Sequence, residues 1–188
     1  MFRYLRYRFL RSLLKALFYK VRYGKRADFN PFAVYFGKGA ILEIGGSGTF
    51  SAERGDRIWL GNYGSIRCLG GPVTIGAGTF FNEACRLVSH VGITIGKNCM
   101  FAPNVSILDS AHRFEANGID YRYQGTRGGA ITIGPNCWFA TNTVISLGST
   151  VAPGVVVGAN SVVRGALEAD ALYAGSPCRR IRSLKPPG

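Results

Sequence analysis

The side chains best suited to acid–base chemistry in this sequence are two histidines, and one of them interrupts a regular pattern. His112 ends the stretch Ile107-Leu-Asp-Ser-Ala-His112, after which a periodic distribution of aliphatic residues stops until about Ala130. Imidazoles titrate near ~6.5 in model peptides, so a histidine on a rigid scaffold can act as a general base at neutral pH. The alternative is a solvated loop residue without a chemical role.

A six-residue repeat indicates the scaffold that would hold His112. Large apolar residues recur every six positions in three runs: Ile75, Phe81, Leu87, Ile93; Ile95, Phe101, Ile107; and Ile133, Phe139, Ile145, Val151, Val157, Val163. Two positions before the later members of each run stands a small residue: Thr79, Cys85, Val91, Cys99, Val105, Cys137, Thr143, Ser149, Val155, Ser161. Six residues suit a short strand and a tight turn, and three such units close a triangular coil of about eighteen residues. The pattern predicts an all-β parallel β-helix, with weaker coils upstream near Ile44 and Leu60.

Three segments follow from this pattern. We predict a β-helix domain over residues 27–170, from which a structureless loop protrudes at 109–130, and a C-terminal tail over 171–188. A loop of this length inside a compact domain is usually functional or disordered. Residues 1–26 are predicted to form a basic amphipathic helix.

The net charge of +13 belongs to the two ends of the chain. Residues 1–26 hold nine Lys/Arg and no acid, residues 179–185 hold four more, and the other 155 residues carry ten basic and ten acidic side chains. On a helical wheel Arg8, Arg11, Lys15 and Arg22 share one arc opposite an apolar side, which favours contact with an anionic membrane surface. The alternative is a helix that packs its apolar face on the coil or on a neighbouring subunit. Because the body of the chain is neutral and has no recognised binding motif, a nucleic-acid partner is not expected.

The cysteines favour a reduced, cytoplasmic protein without a metal site. Their number is five, none is spaced as C-x-x-C, and three of them (Cys85, Cys99 and Cys137) fall on the small inward position of the repeat. Neither a secretory signal nor an apolar run of about 20 residues is recognisable. A β-helix carbonic anhydrase needs three histidine ligands for zinc, and the sequence has two histidines.

Three stretches resemble the hexapeptide-repeat acyltransferases, and most closely the galactoside, maltose and lipopolysaccharide or capsule O-acetyltransferases. They are Val73-Thr-Ile-Gly to Asn82, Phe101-Ala-Pro-Asn to His112, and Ile133 through Val163 to Tyr173-Ala-Gly-Ser-Pro-Cys-Arg179. The resemblance implies a left-handed parallel β-helix and a homotrimer with sites between adjacent subunits. It also implies acetyl-CoA as acyl donor, no metal, and a sugar or glycan acceptor, which can be lipid-linked.

The same resemblance assigns the acceptor side of the site. His112 matches the catalytic histidine and would take the proton of a sugar hydroxyl as it attacks the thioester. Asn82 matches a substrate-contacting asparagine, with a corner turn as its alternative, and for Glu83 beside it a solvated carboxylate is the stronger interpretation. His90 stands where the family often has an acceptor-binding acid, so acceptor contact and a plain turn are equally open. Asp109 could orient the imidazole, as could a backbone carbonyl.

The cofactor side is assigned in the same way. Trp138 would pack along CoA, or between subunits, and a backbone N–H near Ser146 could stabilise the oxyanion. Arg179 and Arg180 would hold the CoA phosphates, unless they belong to a solubilising tail. The resemblance places three further residues in this cofactor-binding set: Ala140, Gly158 and Arg164.

The sequence therefore predicts an acetyl-CoA-dependent O-acetyltransferase that acts on a sugar in surface-polysaccharide assembly, at the inner face of the cytoplasmic membrane. N-acetyl transfer to an amino-sugar nucleotide is one alternative, and a noncatalytic trimeric scaffold is another.

Overall fold

A computed structural model describes residues 2–184, with side chains from Tyr7 onward. The helix α1 (Phe2–Tyr23) and a 3₁₀ turn (Gly24–Arg26) precede the β-structure. The first two coils contain β1 (Ala27–Asp28), β2 (Val34–Phe36), β3 (Ile41–Ile44), β4 (Phe50–Ala52), β5 (Ile58–Leu60) and β6 (Ser65–Cys68). The next two contain β7 (Val73–Ile75), β8 (Phe80–Phe81), β9 (Arg86–Ser89), β10 (Ile93–Ile95), β11 (Met100–Phe101) and β12 (Ser106–Leu108).

A hairpin then separates the fourth coil from the fifth. It consists of β13 (Ser110–His112) and β14 (Thr126–Gly128), with a 3₁₀ turn at Tyr121–Tyr123. The remaining strands are β15 (Ile131–Ile133), β16 (Trp138–Phe139), β17 (Val144–Ser146), β18 (Thr150–Val151), β19 (Val156–Val157), β20 (Val162–Val163), β21 (Ala166–Leu167), β22 (Ala171–Gly175) and β23 (Cys178–Ser183).

Every third strand pairs with its counterpart in the next coil, which confirms the predicted parallel β-helix. Three sheets result: sheet A runs β1-β4-β7-β10-β15-β18-β21, sheet B runs β2-β5-β8-β11-β16-β19-β22-β23, and sheet C runs β3-β6-β9-β12-β17-β20. All pairs within them are parallel except β22 with β23, which are antiparallel. The solenoid begins with β1 at Ala27, where the predicted β-helix domain starts, although the recognisable repeat pattern begins only near Ile44. The first coils have longer corners, and 23 residues separate the partners Ala27 and Phe50, so the six-residue spacing is hidden there.

The repeat positions form the core. All thirteen large residues of the three runs are at most 2% exposed, and the rings of Phe81, Phe101 and Phe139 stack with centroids 4.6 and 5.0 Å apart. Cys85, Cys99 and Cys137 fill buried corners. Val91 is the exception among the small positions, because it is 48% exposed and lies in a corner of different shape.

Helix α1 covers the open end of the first coil. Ala16 and Tyr19 are buried, and the Tyr19 ring lies 5.3 Å from that of Phe36. Ser12 Oγ accepts a hydrogen bond from the Phe36 N–H (2.8 Å), which protects the edge of sheet B. The structure thus agrees with the alternative in which one helix face packs on the coil. No helix among the described residues is long and apolar enough to cross a membrane.

The segment 109–130 is better ordered than the sequence indicates. Its base is the antiparallel hairpin, in which Ser110 pairs with Gly128 and His112 with Thr126. Gln124 holds the distal part: its side chain donates to the carbonyls of Ala116 and Ile119 and accepts from the Ala116 N–H. The prediction of a structureless loop is therefore wrong for its base.

The predicted C-terminal tail continues the solenoid. Residues of β22 pair with β19, and β23 folds back on β22, so both strands extend sheet B. Residues 185–188 of the predicted tail lie outside the described residues.

Candidate functional site

Most of the predicted site residues fall on the two long edges of sheet C, whereas Trp138, Arg179 and Arg180 lie on sheet B. At one edge the chain leaves sheet C toward sheet A. We call this edge the histidine edge, and it carries His90, Asp109, His112, Ser146 and Arg164. At the other edge the chain enters sheet C from sheet B. We call this edge the asparagine edge, and it carries Asn62, Asn82, Glu83, Ala140 and Gly158. Strand register establishes both columns, since Leu108 lies between Val88 and Ser146, and Ile145 pairs with Val163.

Asp109 organises the histidine edge. Its buried carboxylate accepts four hydrogen bonds, from Ser89 Oγ (3.0 Å) and from the N–H groups of His90 (2.8 Å), Val91 (2.9 Å) and Gly92 (2.7 Å). These bonds hold the corner of the third coil against the strand that leads to His112. The suggestion that Asp109 orients the imidazole is not supported, because its carboxylate oxygens are directed at the 89–92 corner.

His90 and His112 lie on either side of Ser110. The Ser110 hydroxyl is 2.9 Å from His90 Nδ1, within hydrogen-bond distance. This contact fixes the His90 ring beside β13, so the structure brings both histidines to one surface. Sequence reasoning missed Ser110, although its place between Asp109 and His112 is a usable signal.

His112 presents its imidazole to solvent from a rigid base. It is exposed at the end of β13, and its backbone is paired with Thr126. Among residues 7–184 no group is hydrogen-bonded to the His112 ring, so a single chain leaves the base open to an acceptor. Gly128 lets β14 approach the corner, because a Cβ there would overlap a Val91 methyl.

The hairpin carries an ordered basic and aromatic cluster. Arg127 bonds Glu115 (2.8 Å) and its guanidinium lies 5.1 Å from the Phe114 ring centroid. The pKa of Glu115 is lowered, chiefly because the Phe114 N–H donates to its carboxylate, with Arg127 and Arg113 adding attraction. Beyond them Tyr121 and Tyr123 are largely exposed.

Two predicted cofactor residues also lie on the histidine edge. Ser146 stands one coil beyond Leu108, and its hydroxyl donates to the Val163 carbonyl (2.9 Å). Arg164 follows β20 and is exposed one coil further. Both continue the column of Val88 and Leu108, the edge from which the hairpin with His112 departs.

The asparagine edge has its own polar ladder. Asn62 Nδ2 donates to Glu83 Oε1 (2.9 Å), and Asn82 Oδ1 accepts from the Glu83 N–H (2.8 Å). Further along, Asn104 donates to Asn142 and Asn142 donates to Asn160. Asn104, Asn142 and Asn160 adopt positive φ, which asparagine tolerates better than most residues. Asn82 and Glu83 thus have the corner-turn contacts of their structural alternative and still face solvent in part.

The remaining predicted cofactor residues border the asparagine edge. Trp138 is 46% exposed on sheet B, two residues before Ala140, and pairs with Met100 and Val156 in the neighbouring coils. Arg179 and Arg180 on β23 pair with Ala174 and Tyr173, and a Cβ on Gly158 would lie 3.2 Å from that of Ala174. Arg179 and Arg180 thus lie at the far end of sheet B, three strands from Trp138.

One chain does not bring the two edges together. Strands of sheet C are three or four residues long in the fourth and third coils, so His112 and Asn82 are separated by on the order of 10 Å of strand. The two edges are also different corners of the triangular coil. A single acceptor hydroxyl cannot contact both residues of one subunit.

A separate groove of about 930 Å³ lies elsewhere, along sheet A. Its lining includes Lys20, Glu53, Arg54, Thr74 and Lys97. None of the predicted site residues borders it. Within the described part of the chain, His, Cys, Asp and Glu side chains form no group of three that could hold a metal ion.

Comparisons with known proteins agree with this architecture. The chain is 33% identical over 119 residues to the galactoside O-acetyltransferase of Escherichia coli K12, covering 61% of this chain and 56% of that protein. It is 31% identical over 108 residues to an E. coli K12 protein named for O-acetyl transfer in lipopolysaccharide biosynthesis, covering 54% and 55%. A hexapeptide-repeat acetyltransferase of Vibrio cholerae, solved with acetyl-CoA, is 26% identical with a TM-score of 0.62, covering 79% of this chain and 73% of that one. The chain spans about half the length of the curated relatives it matches, and no family profile matches it.

Proposed function

We propose that this chain, which resembles hexapeptide-repeat acetyltransferases in sequence and in fold, transfers an acetyl group from acetyl-CoA to a sugar hydroxyl. The observation that carries the proposal is an exposed imidazole, that of His112, on a hairpin whose base is fixed by strand pairing and by Asp109. The similarity to a galactoside O-acetyltransferase and to an acetyl-CoA complex supports this choice of donor and reaction.

The proposed reaction is a direct transfer. His112 accepts the proton of the acceptor hydroxyl while that oxygen attacks the thioester carbonyl, and the C–S bond then breaks. The imidazolium returns the proton to the departing CoA sulfur, so atoms and charge balance without a covalent enzyme intermediate. A positioned general base typically contributes ~10²–10⁴ in rate.

The assembly we propose is a homotrimer with sites between adjacent subunits. The support is geometric: the histidine edge and the asparagine edge are opposite edges of sheet C, so two copies can bring one of each together around a common axis. His112 of one subunit would then face Asn82 and Trp138 of the next. Ser146 and Arg164 would come from the same subunit as His112, and Arg179 and Arg180 from its neighbour.

The proposed acceptor belongs to surface-polysaccharide assembly at the inner face of the cytoplasmic membrane. The relative named for lipopolysaccharide biosynthesis supports this acceptor class. We propose that His90 contacts the acceptor, and its hydrogen-bond contact with Ser110, two residues before His112, supports this role. N-acetyl transfer to an amino-sugar nucleotide is the alternative that the same base could perform.

The test is release of CoA thiol from acetyl-CoA with free glycans, nucleotide sugars and lipid-linked oligosaccharides as acceptors. We expect turnover with a hydroxyl acceptor and a loss of ~10²–10⁴ in His112→Ala. Thr126→Ala, across the hairpin from His112, is the matched control and should keep most activity. Equal rates for wild type and His112→Ala would contradict the assignment, and a noncatalytic scaffold predicts no acetyl-CoA binding at all.

A further inference from the structure

Helix α1 is apolar on two faces, and only one of them is used by the fold. Its inner arc, with Ser12, Ala16 and Tyr19, packs on the first coil. Six apolar side chains on the opposite arc are between 43% and 87% exposed: Tyr7, Leu10, Leu14, Leu17, Phe18 and Val21. Spacings of three and four residues place these six on one stripe about 100° wide. The stripe therefore needs an explanation other than capping of the solenoid.

Phe32 extends the stripe beyond the helix. It is 68% exposed in the segment between β1 and β2, and it lines the same small cavity as Leu10 and Leu13. Helix periodicity cannot account for an exposed phenylalanine on a different segment. Two independent parts of the chain thus present apolar side chains at the same end of the molecule. We call Phe32 together with the exposed stripe the α1 outer surface.

The charged residues that the helix and the turn after it place beside this surface are basic. Arg11 and Arg22 flank the stripe on the side of Phe18, and exposed Lys25 and Arg26 follow the helix. No acidic residue occurs in positions 1–26. Lys15 and Lys20 are directed inward instead, to the carbonyls of Ala40 and Ala27. A face of exposed aliphatic and aromatic groups beside these exposed basic residues is complementary to an anionic surface with an apolar interior.

We propose that the α1 outer surface docks on a bilayer that contains anionic phospholipids. The apolar stripe would enter the boundary between headgroups and acyl chains, and Arg11, Arg22, Lys25 and Arg26 would contact phosphate groups. A helix of this kind lies in the plane of the interface, with its long axis parallel to the membrane. The contact deepens the proposed function, because it names the surface by which the protein reaches a membrane-bound acceptor.

The docking fixes the distance between the bilayer and the candidate site. Because α1 covers the open end of the first coil, the long axis of the solenoid would be directed away from the membrane. The hairpin with His112 follows the fourth coil, three coil spacings of ~4.8 Å further on, so the imidazole lies roughly 15 Å above the first coil. In a cyclic trimer whose symmetry axis is parallel to the solenoid axis, all three α1 outer surfaces would face the same membrane. Three linked contacts would strengthen membrane binding by avidity.

The test is sedimentation of the 188-residue chain with phosphatidylcholine vesicles that contain ~30% phosphatidylglycerol. We expect wild type to bind these vesicles, to bind pure phosphatidylcholine much more weakly, and to be released by salt. Leu14→Glu/Val21→Glu should weaken binding more than tenfold, and Phe32→Ser, which leaves the helix intact, should weaken it severalfold. Ile181→Glu is the matched control: it adds one charge at an equally exposed apolar residue of β23, at the other end of the solenoid, and should bind like wild type.

Three results would overturn the proposal. They are no binding by wild type, binding unchanged in both the helix and the Phe32 variants, or a change of oligomeric mass in Leu14→Glu/Val21→Glu with vesicle binding unchanged, since a second copy would then cover this surface. Vesicle binding is measured without donor or acceptor. Acetyl transfer to a water-soluble acceptor should persist in the variants, so failure of the docking and failure of the proposed reaction are distinguishable.

Discussion

The separation of the two edges of sheet C predicts that inactive variants complement one another. One parent is His112→Ala, which should lose ~10²–10⁴ in rate, or about 3–5 kcal/mol of transition-state stabilisation. The other is Asn82→Ala/Trp138→Ala, which removes two predicted contacts beside the asparagine edge. Both sets of side chains are at least partly exposed, so we expect native thermal stability in each parent.

The expected magnitude follows from the geometry. A general base must lie about 3 Å from the proton it accepts, whereas on the order of 10 Å of strand separates His112 from Asn82 within one chain. In randomly mixed trimers, an interface has an intact histidine edge with a probability of one half, and an intact asparagine edge with the same probability. About a quarter of the interfaces are then complete, so an equal mixture of the two inactive parents should recover about a quarter of wild-type activity.

The assay is CoA release after the two parents are unfolded together and refolded, with native mass spectrometry to verify mixed trimers. The control joins all three substitutions in one chain and mixes it with wild type. Sites shared between subunits predict about a quarter of the activity of an all-wild-type sample, whereas sites inside one chain predict about half. No recovery from the inactive parents, together with half activity in the control, would refute the arrangement.

Two further predictions concern the scaffold. Asp109→Asn should lower stability by about 3 kcal/mol, or the melting temperature by ~6–12 °C, because an amide cannot accept all four of the bonds that the buried carboxylate accepts. The control is Glu53→Gln, which removes an exposed ion pair and should leave the melting temperature close to that of the wild type; equal losses in the two variants would contradict the role of Asp109. Burial raises the pKa of Cys68 to about 12 and that of Cys85 to about 11, so their thiolate fractions at pH 8 are ~10⁻³ or less, against roughly a quarter for an exposed thiol. Mass spectrometry after iodoacetamide should show no rapid labelling of Cys68 or Cys85 in the native protein and labelling of both after unfolding, and rapid native labelling of either would contradict the burial of its thiol.

The sequence predicts the core of this fold well because the repeat is a direct consequence of burial. A period of six places one large side chain in the middle of each face, and each of those residues is buried. The six-residue period does not extend to the first coil, since its corners are long and Phe29, Phe36 and Phe50 fill the core there with a different spacing. Its boundary depends on the contact with α1, which no local spacing encodes.

The sequence nominates candidate site residues one at a time, but it does not give their arrangement. Positions that match a family motif point to His112, Asn82 and Trp138 one at a time. Only the fold shows that His112 and Asn82 lie on opposite edges of sheet C. The sequence does not separate the two apolar faces of α1 for a similar reason. A helical wheel places Leu13, Ala16 and Leu17 on one apolar side, and only the packing in the structure distinguishes buried Ala16 from exposed Leu17.

The irregularities of the repeat form one structural unit that positions His112. In the third coil, at the corner between β9 and β10, the six-residue pattern shifts by two residues. Val91 in this corner turns outward instead of filling the core. The widened corner leaves three N–H groups, of His90, Val91 and Gly92, which converge on the carboxylate of Asp109 one coil later. The Val91 side chain also contacts Gly128 of the hairpin. A Cβ at position 128 would overlap a Val91 methyl group, so only glycine fits there. A regular corner of the repeat would offer neither the three N–H groups that bind Asp109 nor the contact with Gly128, so the irregular corner at residues 89–92 helps to hold the hairpin that carries His112.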